Sequence, residues 1–512
     1  MLAERLREQA AAQGDRSFLL FEDTTISWRT VEDVVARTAA LLRARGVGRG
    51  DRVLLAAENS PTFLYLWFAL RWLGATCVPL HTAATTTAIT RMVDDAGLSH
   101  VVGDAALLDR VLKAAPRLAD RAVMFGDHEE LERAARACEP VEPARTSRYD
   151  ECNILYTSGT TGPPKGVVLS NESMLAGGRE LVAALEITRD DRILLALPLF
   201  HTNPQVYGIM SALDSGCSIA LLREFVPREF LAEAVRYDAT GFTYVGTVLS
   251  LLTAKTEVVP DHSLRFCVGG GAPERLWREV EERLHVPVHE LYGMTETGGW
   301  VTATRTRDRR PGTCGMVRPD MECVILDSDD VILPAGEMGQ IAVRPSSPGV
   351  LFDGYHGRPD LTMARYTNAW FHTGDLGRFD EDGFLYFHGR ADDIIRRAGE
   401  NISPTGIEFE LSRHPGIAEV AVVGVDDETM GQEVKVVIVP HAGFEVGTLL
   451  SFLEDRLPRF AWPRYVELRT ELPKTPTQKI RVGELRGVGD DVVDLRELRP
   501  TTEQKANACE LD

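Results

Sequence analysis

Paired cysteines are missing from this chain. Its eight cysteines are scattered and form no C-x-x-C pair, which argues against a zinc cluster and against a disulfide framework. The N-terminal segment has a polar amphipathic helix pattern and lacks the apolar core of a signal peptide. We therefore expect a reduced, cytoplasmic protein.

Long apolar runs and an excess of positive charge are missing as well. No stretch approaches about 18 consecutive apolar residues, so we expect no membrane span. The net charge of -20 makes a nucleic-acid partner unexpected, because such a partner requires phosphate neutralisation. A local basic pocket for a small anionic ligand is still compatible with this charge.

The order of the predicted elements indicates an α/β fold in three parts. Strands alternate with helices through the first half of the chain, which predicts a parallel sheet. Short strands with Gly, Asp and Pro turns after Pro311 predict a small β-rich subdomain. We expect residues 1–389 to form a large N-terminal domain of α/β subdomains that includes this β-rich piece. Residues 390–500 are expected to form a small mobile α+β C-terminal domain, and residues 501–512 a polar tail.

The segment YTSGTTGPPKG, residues 156–166, has the composition of a phosphate-binding loop. It follows the short apolar run NILY, which predicts a buried strand. Glycines allow backbone amides to turn toward an anion, hydroxyl groups add donors, and a lysine can neutralise an outer phosphate. A mobile linker would explain the composition but not the preceding strand or the embedded PPKG. The candidate phosphate ligands are Thr157, Ser158, Gly159, Thr160, Thr161, Gly162 and Lys165.

TSGTTGPPKG resembles the phosphate-binding signature of the adenylate-forming superfamily, which includes acyl-CoA synthetases, luciferases and the adenylation domains of peptide synthetases. Five further segments follow in that superfamily's order: GGGAP, YGMTE, WFHTGD, GRADD and LPKTPTQKIR. The resemblance therefore spans nearly the whole chain. The overall sequence pattern of the chain is most similar to the crotonobetaine/carnitine-CoA ligase-like group of acyl-CoA synthetases.

The resemblance implies roles for the nucleotide-binding residues. Tyr292 would stack on adenine, Thr295 would meet the α-phosphate, and Glu296 would bind Mg²⁺, for which one carboxylate plus phosphate oxygens suffices. The adenine pocket would also include Gly270, Gly271, Ala272, Pro273, Gly293 and Met294.

The remaining motifs imply ribose, hinge and catalytic residues. Asp375, which we expect in a glycine turn, would accept hydrogen bonds from the ribose hydroxyls. Arg390 would reach the nucleotide, and Asp392 would be the hinge about which the C-terminal domain rotates. Lys479 would be the catalytic lysine that approaches the α-phosphate and the substrate carboxylate.

The acyl pocket is less clearly marked. His201 is a candidate gate with a catalytic role, although a structural histidine fits equally well. Tyr207 and Trp300 suggest a modest or aromatic pocket, but they could equally be core residues. The pocket candidates by position are Asn203, Val206, Tyr207, Gly246, Thr247, Gly298 and Trp300.

The predicted reaction activates a carboxylic acid with ATP and Mg²⁺, releases pyrophosphate, and transfers the acyl group to CoA. Two departures from the family pattern, Gly406 and Gln478, leave the second step open. The alternatives are a carrier-protein loader, an enzyme that activates another oxyanion such as nitrite to diazotise an aromatic amine, and a non-catalytic nucleotide-binding relative. A homodimer and a carrier-protein partner both stay open.

Overall fold

The computed structural model describes residues 1–157, 165–256, 258–390, 395–397, 400–402, 404–427, 429–454, 456–474, 480–489 and 491–496. The chain divides into two compact units. The first comprises Met1–Val324, Ala342–His372 and Asp380–Tyr386, and the second comprises Ile325–Ile341, Thr373–Phe379 and the chain from Phe387 onward. The predicted boundary between residues 389 and 390 and the predicted tail stay predictions.

The first sheet of the first unit is mostly parallel and carries the hairpin around the phosphate-loop segment. Its central strands Thr76–Pro79, Arg52–Ala56 and His100–Asp104 are buried except at Arg52 and Asp104, as expected for a sheet covered on both faces. Only the last two pairings at the hairpin edge are antiparallel. The described strands in spatial order are Gly354–Tyr355, Lys165–Ser170, Glu151–Thr157, Thr76–Pro79, Arg52–Ala56, His100–Asp104 and Ala122–Phe125.

The second sheet also has a parallel centre with antiparallel edges. The carboxyl ends of neighbouring parallel strands lie at one edge of a sheet, which is where ligands of α/β proteins bind. The segments GGGAP and YGMTE both follow such strand ends. The described strands in spatial order are Met316–Val317, Thr302–Ala303, Val288–Tyr292, Phe266–Gly270, Gly241–Val245, Arg192–Leu195, Ser218–Leu221, Ser17–Phe21 and Thr24–Ser27.

Helices cover these sheets. The apolar helix Pro61–Leu73 is buried along its whole length. Among the described residues, no helix is long and apolar enough to cross a membrane. The other helices of the first unit are Leu2–Gln13, Trp28–Ala44, Thr86–Asp95, Ala105–Ala114, His128–Arg136, Asn171–Leu185, Ser211–Ser215, Phe230–Arg236, Gly246–Lys255, Glu274–Leu284 and Pro359–Met363, with a π-helix at Pro204–Met210.

The β-rich segment forms a separate five-stranded sheet among the described residues. Its strands run in the order Met321–Leu326, Gly339–Pro345, Trp370–Phe379 and Tyr366–Thr367, and Leu385–Arg390 also pairs with Trp370–Phe379. The predicted glycine turn at Asp375 is wrong, because the strand Trp370–Phe379 continues through it. Gly374 takes a φ of +80° within that strand, a conformation that glycine adopts without a steric penalty.

The chain after residue 394 has an α+β arrangement, as predicted. Its strands are Glu400–Ile402, Ile395–Arg397, Gly431–Pro440, Tyr465–Leu468 and Val493–Asp494, with Ile417–Asp427 paired to Gly431–Pro440. The helices Pro404–Leu411 and Thr448–Leu453 contribute Ile407, Leu411, Leu449 and Leu453 to one apolar cluster with the sheet. The predicted α/β fold class is confirmed.

Candidate active site

The two ends of the phosphate-loop segment are fixed by strand pairing. Thr157 ends one strand and Lys165 begins the next, and the two residues are partners in the antiparallel register. The Thr157 hydroxyl donates to the carbonyl oxygen of Lys165 at 3.5 Å. Ser158, Gly159, Thr160, Thr161 and Gly162 lie outside the described residues.

Glu296 is a buried carboxylate with one hydrogen-bonded oxygen. Tyr355 donates its hydroxyl to Oε1 of Glu296 at 2.8 Å. Burial and the neighbouring carboxylate raise the pKa of Tyr355, so this hydroxyl stays protonated as a donor. Oε2 of Glu296 accepts no hydrogen bond from any residue that the structure describes. Lys165 Nζ lies 5.2 Å from the centre of the Tyr355 ring, so the predicted phosphate and metal ligands share this tyrosine.

Thr295 is flanked by a second hydroxyl. The Oγ1 atoms of Thr295 and Thr202 are 3.1 Å apart and hydrogen-bonded. The turn that contains Thr295 is closed by Thr297, which accepts the N–H of Met294 at 3.1 Å and donates to the carbonyl oxygen of Met294 at 2.9 Å. The sequence reading identified Thr295 and missed Thr202 and Thr297, whose relevance depends on these contacts.

Tyr292 ends a buried strand and lies next to Gly293. A Cβ at Gly293 would lie 2.3 Å from the Cα of Trp300, so a side chain larger than hydrogen does not fit. The N–H of Val301 donates to the carbonyl oxygen of Tyr292 at 2.8 Å. The nucleotide motif and the pocket candidate Trp300 are therefore in direct backbone contact.

The loop Gly270–Pro273 is held by Glu290, a residue that the sequence reading missed. The carboxylate accepts the N–H groups of Gly271 at 2.6 Å and Ala272 at 3.0 Å, and the hydroxyl of Tyr244 at 2.6 Å. Burial raises the pKa of Glu290 to about 7 against the lowering effect of these donors. An acid inside an apolar strand of a parallel sheet is itself unusual, and that signal was available in the sequence.

Two of the acyl-pocket candidates, Tyr207 and Trp300, are held in place by hydrogen bonds from their polar atoms. Tyr207 donates its hydroxyl to the carbonyl oxygen of Gly299 at 2.7 Å, and Trp300 donates Nε1–H to that of Gly177 at 2.9 Å. Asn203 donates Nδ2–H to the carbonyl oxygen of Tyr244 at 2.9 Å, while its Oδ1 is buried without a hydrogen-bond partner among the described residues. Tyr207 belongs to the π-helix Pro204–Met210, a type of helix that is frequent at functional sites.

Two glycines of the predicted pocket are required by close approaches. A Cβ at Gly246 would lie 2.0 Å from the carbonyl oxygen of Gly271. A Cβ at Gly298 would lie 2.8 Å from that of Val350, and Gly298 also has a φ of +65°. Thr247 is the second residue of the helix Gly246–Lys255. The start of this helix therefore abuts the loop that Glu290 holds.

Arg318, which lies beside Trp300, was also not predicted from the sequence. It is 1% exposed, forms an ion pair with Asp320, and donates to the carbonyl oxygen of Trp300 at 3.0 Å. Its guanidinium also lies 5.2 Å from the centre of the Trp300 ring. Arg318 thus fixes both the backbone and the ring of Trp300.

His201 lies in an aromatic cluster. Its ring centre is 4.5 Å from that of Phe200 and 5.8 Å from that of His81. Burial lowers the pKa of His81, which accepts the N–H of Ala83 through Nδ1 at 3.1 Å. A gating role for His201 stays a prediction.

The second unit contains Asp375 and Arg390 together. Asp375 is 6% exposed, and its N–H donates to the hydroxyl of Thr373 at 3.1 Å. Arg390 Nε lies 3.7 Å from Oδ1 of Asp375. The structure therefore brings together the two residues predicted to meet the ribose and the nucleotide.

Asp392, Gln478 and Lys479 lie outside the described residues. The residues on either side of the Lys479 segment are paired, since Lys474 and Ile480 form a β-bridge and the N–H of Arg481 donates to the carbonyl oxygen of Pro473 at 2.8 Å. Gly406 belongs to the helix Pro404–Leu411.

This arrangement defines a nucleotide-binding α/β enzyme with a buried carboxylate, a lysine and paired hydroxyls at strand ends. The AMP-binding enzyme family matches residues 6–356, and the C-terminal domain of AMP-binding enzymes matches residues 406–479. The chain belongs to this family of adenylate-forming enzymes, as the motifs predicted.

Relatives and solved structures with high coverage support this assignment. A crotonobetaine/carnitine-CoA ligase of Salmonella paratyphi A is 30% identical over 92% of this chain and 96% of its own length. ATP-bound MatB from Rhodopseudomonas palustris matches with a TM-score of 0.89 and 29% identity, covering 95% of this chain and 98% of that one. The o-succinylbenzoate CoA synthetase of Bacillus subtilis with AMP has a TM-score of 0.83 and 28% identity, covering 94% and 98%.

Proposed function

We propose that this protein is an AMP-forming acyl-CoA ligase that converts a carboxylic acid into an acyl adenylate and then into a CoA thioester. The observation that carries the proposal is the cluster of Lys165, Tyr355, Glu296 and Thr295 in one unit. A crotonobetaine/carnitine-CoA ligase matches more than nine-tenths of this chain, and the similarly covered MatB structure was solved with ATP bound.

In the first step, an oxygen of the substrate carboxylate attacks the α-phosphorus of ATP. A P–O bond to the carboxylate forms while the bond between the α-phosphorus and the bridging oxygen breaks, and pyrophosphate leaves. Negative charge develops on the phosphoryl oxygens, so fixed donors and cations supply most of the stabilisation. Lys165 would meet the departing phosphates, and the hydroxyl of Thr295, oriented by Thr202, would meet the α-phosphate.

The residues present fit Mg²⁺ as the metal. Mg²⁺ is commonly held by one or two carboxylates together with substrate phosphates and water. Glu296 offers one oxygen that no described residue occupies, while Tyr355 holds the other. Within the described part of the chain no group of three or more His, Cys, Asp and Glu side chains could form an all-protein metal cage. Bound there, Mg²⁺ would neutralise charge on the phosphates.

The carboxylic acid would lie beside Asn203, Tyr207 and Trp300. Both aromatic side chains direct their polar atoms to backbone carbonyls, so an acid bound beside them would meet apolar ring surface. Asn203 would add one amide oxygen as an acceptor. This lining favours a small or aromatic acid over a long fatty acid.

The second step would use a different catalytic face. The CoA thiol attacks the carbonyl carbon of the adenylate, and AMP leaves. We infer from the family resemblance that Lys479 serves only the first step and that rotation at Asp392 exchanges the two faces, a conformational step of the kind that gates many two-domain enzymes.

The test is pyrophosphate release with a panel of small aliphatic and aromatic carboxylic acids, and with nitrite plus aryl amines, each with and without CoA. We expect release with at least one acid and consumption of CoA with the same acid. Release without CoA consumption would favour another acceptor, such as a carrier protein. No release with any acid would contradict the proposal.

A variant separates the two steps. Lys479→Ala should nearly abolish adenylate formation and leave thioester formation from a supplied adenylate close to that of the unmodified protein. Equal loss of both steps would contradict the role assigned to Lys479.

A further inference from the structure

Glu290 is a buried acid beside the nucleotide motif that no part of the proposed chemistry uses. It lies two positions before Tyr292 in the strand Val288–Tyr292, and alternate residues of a strand face the same side. Glu290 and Tyr292 therefore share a face. Because burying a carboxylate is costly unless donors surround it, Glu290 requires hydrogen-bond donors at this position.

Those partners are the backbone of the adenine-side loop and one buried hydroxyl. Oε1 accepts the N–H of Gly271 at 2.6 Å and that of Ala272 at 3.1 Å. Oε2 accepts the Ala272 N–H at 3.0 Å and the Tyr244 hydroxyl at 2.6 Å. Gly271 has a φ of +99°, which glycine adopts without a steric penalty, so the backbone can turn both N–H groups toward the carboxylate. The carboxylate thus selects one path for the loop.

Tyr244 anchors this arrangement from the neighbouring strand. It is fully buried in Gly241–Val245, and its hydroxyl also lies 3.3 Å from the carbonyl oxygen of His289. Gly246, the first residue after this strand, approaches the carbonyl oxygen of Gly271 so closely that it admits no side chain. The loop is therefore held from one side by Glu290 and limited on the other by Gly246.

We propose that Glu290 is a positioning residue for ATP: together with Tyr244 it sets the path of the loop Gly271–Pro273 against which the adenine binds. The proposal rests on the proposed function and on the family resemblance, which implies that this loop borders the adenine. Both oxygens of Glu290 are occupied by protein donors, so we assign it no contact with the phosphates or the acid. Its loss should weaken nucleotide binding without removing any group that acts on the reacting atoms.

The test measures ATP affinity by titration calorimetry with Mg²⁺ present and no acid, so it does not depend on the identity of the substrate. Glu290→Met keeps the length of the side chain and removes both acceptors. Its Kd for ATP should rise about tenfold or more, the size expected when charge-assisted hydrogen bonds are lost. Glu290→Gln keeps one acceptor oxygen for the loop and can donate to Tyr244, so its Kd should stay close to that of the unmodified protein.

A pair of further variants tests whether the effect passes through Glu290. Tyr244→Phe should raise the Kd about threefold, and adding it to Glu290→Met should cause no further rise, because the two residues act on one loop. The exposed Glu282→Gln serves as the matched control. If Glu290→Met does not fold, the other two variants test the inference. It then predicts a raised Kd for ATP in Tyr244→Phe and a nearly unchanged Kd in Glu290→Gln.

Three outcomes would overturn the inference: an unchanged Kd in Glu290→Met, equal losses in the Met and Gln variants, or additive losses with Tyr244→Phe. Failure of the proposed function would look different. In that case the unmodified protein would bind ATP but release no pyrophosphate with any acid.

Discussion

Two buried carboxylates near the nucleotide motif have different surroundings. Glu290 and Glu296 are both 6% exposed. Glu290 is surrounded by protein donors, with two backbone N–H groups and one hydroxyl on its two oxygens. Glu296 receives a single hydroxyl from Tyr355, and its second oxygen has no donor among the described residues. The comparison teaches that a buried acid already satisfied by backbone shapes a loop, whereas a buried acid with an available oxygen can bind a metal.

The largest expected effect is that of Glu296→Gln. Removing the charge of the predicted Mg²⁺ ligand should lower the rate of adenylate formation about a hundredfold or more, and it should raise the Mg²⁺ concentration needed for half-maximal rate. Pyrophosphate release measured against Mg²⁺ concentration checks this, with Glu282→Gln as the exposed control. A variant with a normal rate and normal Mg²⁺ dependence would remove the distinction between the two acids.

Gly246→Ala should have the next largest effect. The new methyl group would meet the carbonyl oxygen of Gly271 and displace the loop that Glu290 holds. We expect kcat/KM for ATP to fall about ten- to a hundredfold, because small misplacements of binding groups are costly. Gly447→Ala is the matched control, since a Cβ there meets nothing within 4 Å and its φ is −59°. Similar kinetics for both variants would show that the loop position is unimportant.

Tyr355→Phe should have a smaller effect that sharpens the role of Glu296. The change removes the one hydroxyl that orients this carboxylate and keeps the ring beneath Lys165. Adenylate formation should fall about three- to tenfold, the range for one hydrogen bond, with a matching rise in the Mg²⁺ requirement. Tyr149→Phe, at an exposed position, is the control. A loss of rate with unchanged Mg²⁺ dependence would place Tyr355 outside the metal site.

The smallest expected effect is on stability and concerns Glu290. Burial raises its pKa to about 7 in the folded protein, above its usual value of 4.5. Folding therefore favours the protonated acid, and this group's contribution to the free energy of unfolding should increase as the pH falls from about 7 toward 4.5. The neighbouring His289 acts in the opposite direction, because burial lowers its pKa to about 4.

Comparison with Glu290→Gln isolates the contribution of Glu290, since both proteins contain His289. As the pH falls from about 7 toward 4.5, the free energy of unfolding of the unmodified protein should increase relative to that of this variant. Urea unfolding at a series of pH values measures it. A difference independent of pH would contradict the raised pKa.

Of the two buried acids, the sequence predicted only Glu296, which belongs to a motif. Glu296 was found because YGMTE matches a family pattern, and the α/β fold was found because alternating strands and helices follow local rules. Glu290 and Tyr355 were missed because their roles depend on partners distant in the chain: Glu290 on Tyr244 and Gly271, and Tyr355 on Glu296. The supposed turn at Asp375 failed for a related reason, since strand pairing with neighbouring segments overrides the local preference of glycine for a turn.

The most direct test of the difference between the two acids is an electron paramagnetic resonance titration of Mn²⁺, used in place of Mg²⁺, with ATP present. The measurement compares the unmodified protein with Glu296→Gln and Glu290→Gln. We predict that Glu296→Gln weakens Mn²⁺ binding about tenfold or more and that Glu290→Gln leaves it within about twofold. Equal weakening in both variants, or none in Glu296→Gln, would contradict the assignment of one acid to the metal and the other to the loop.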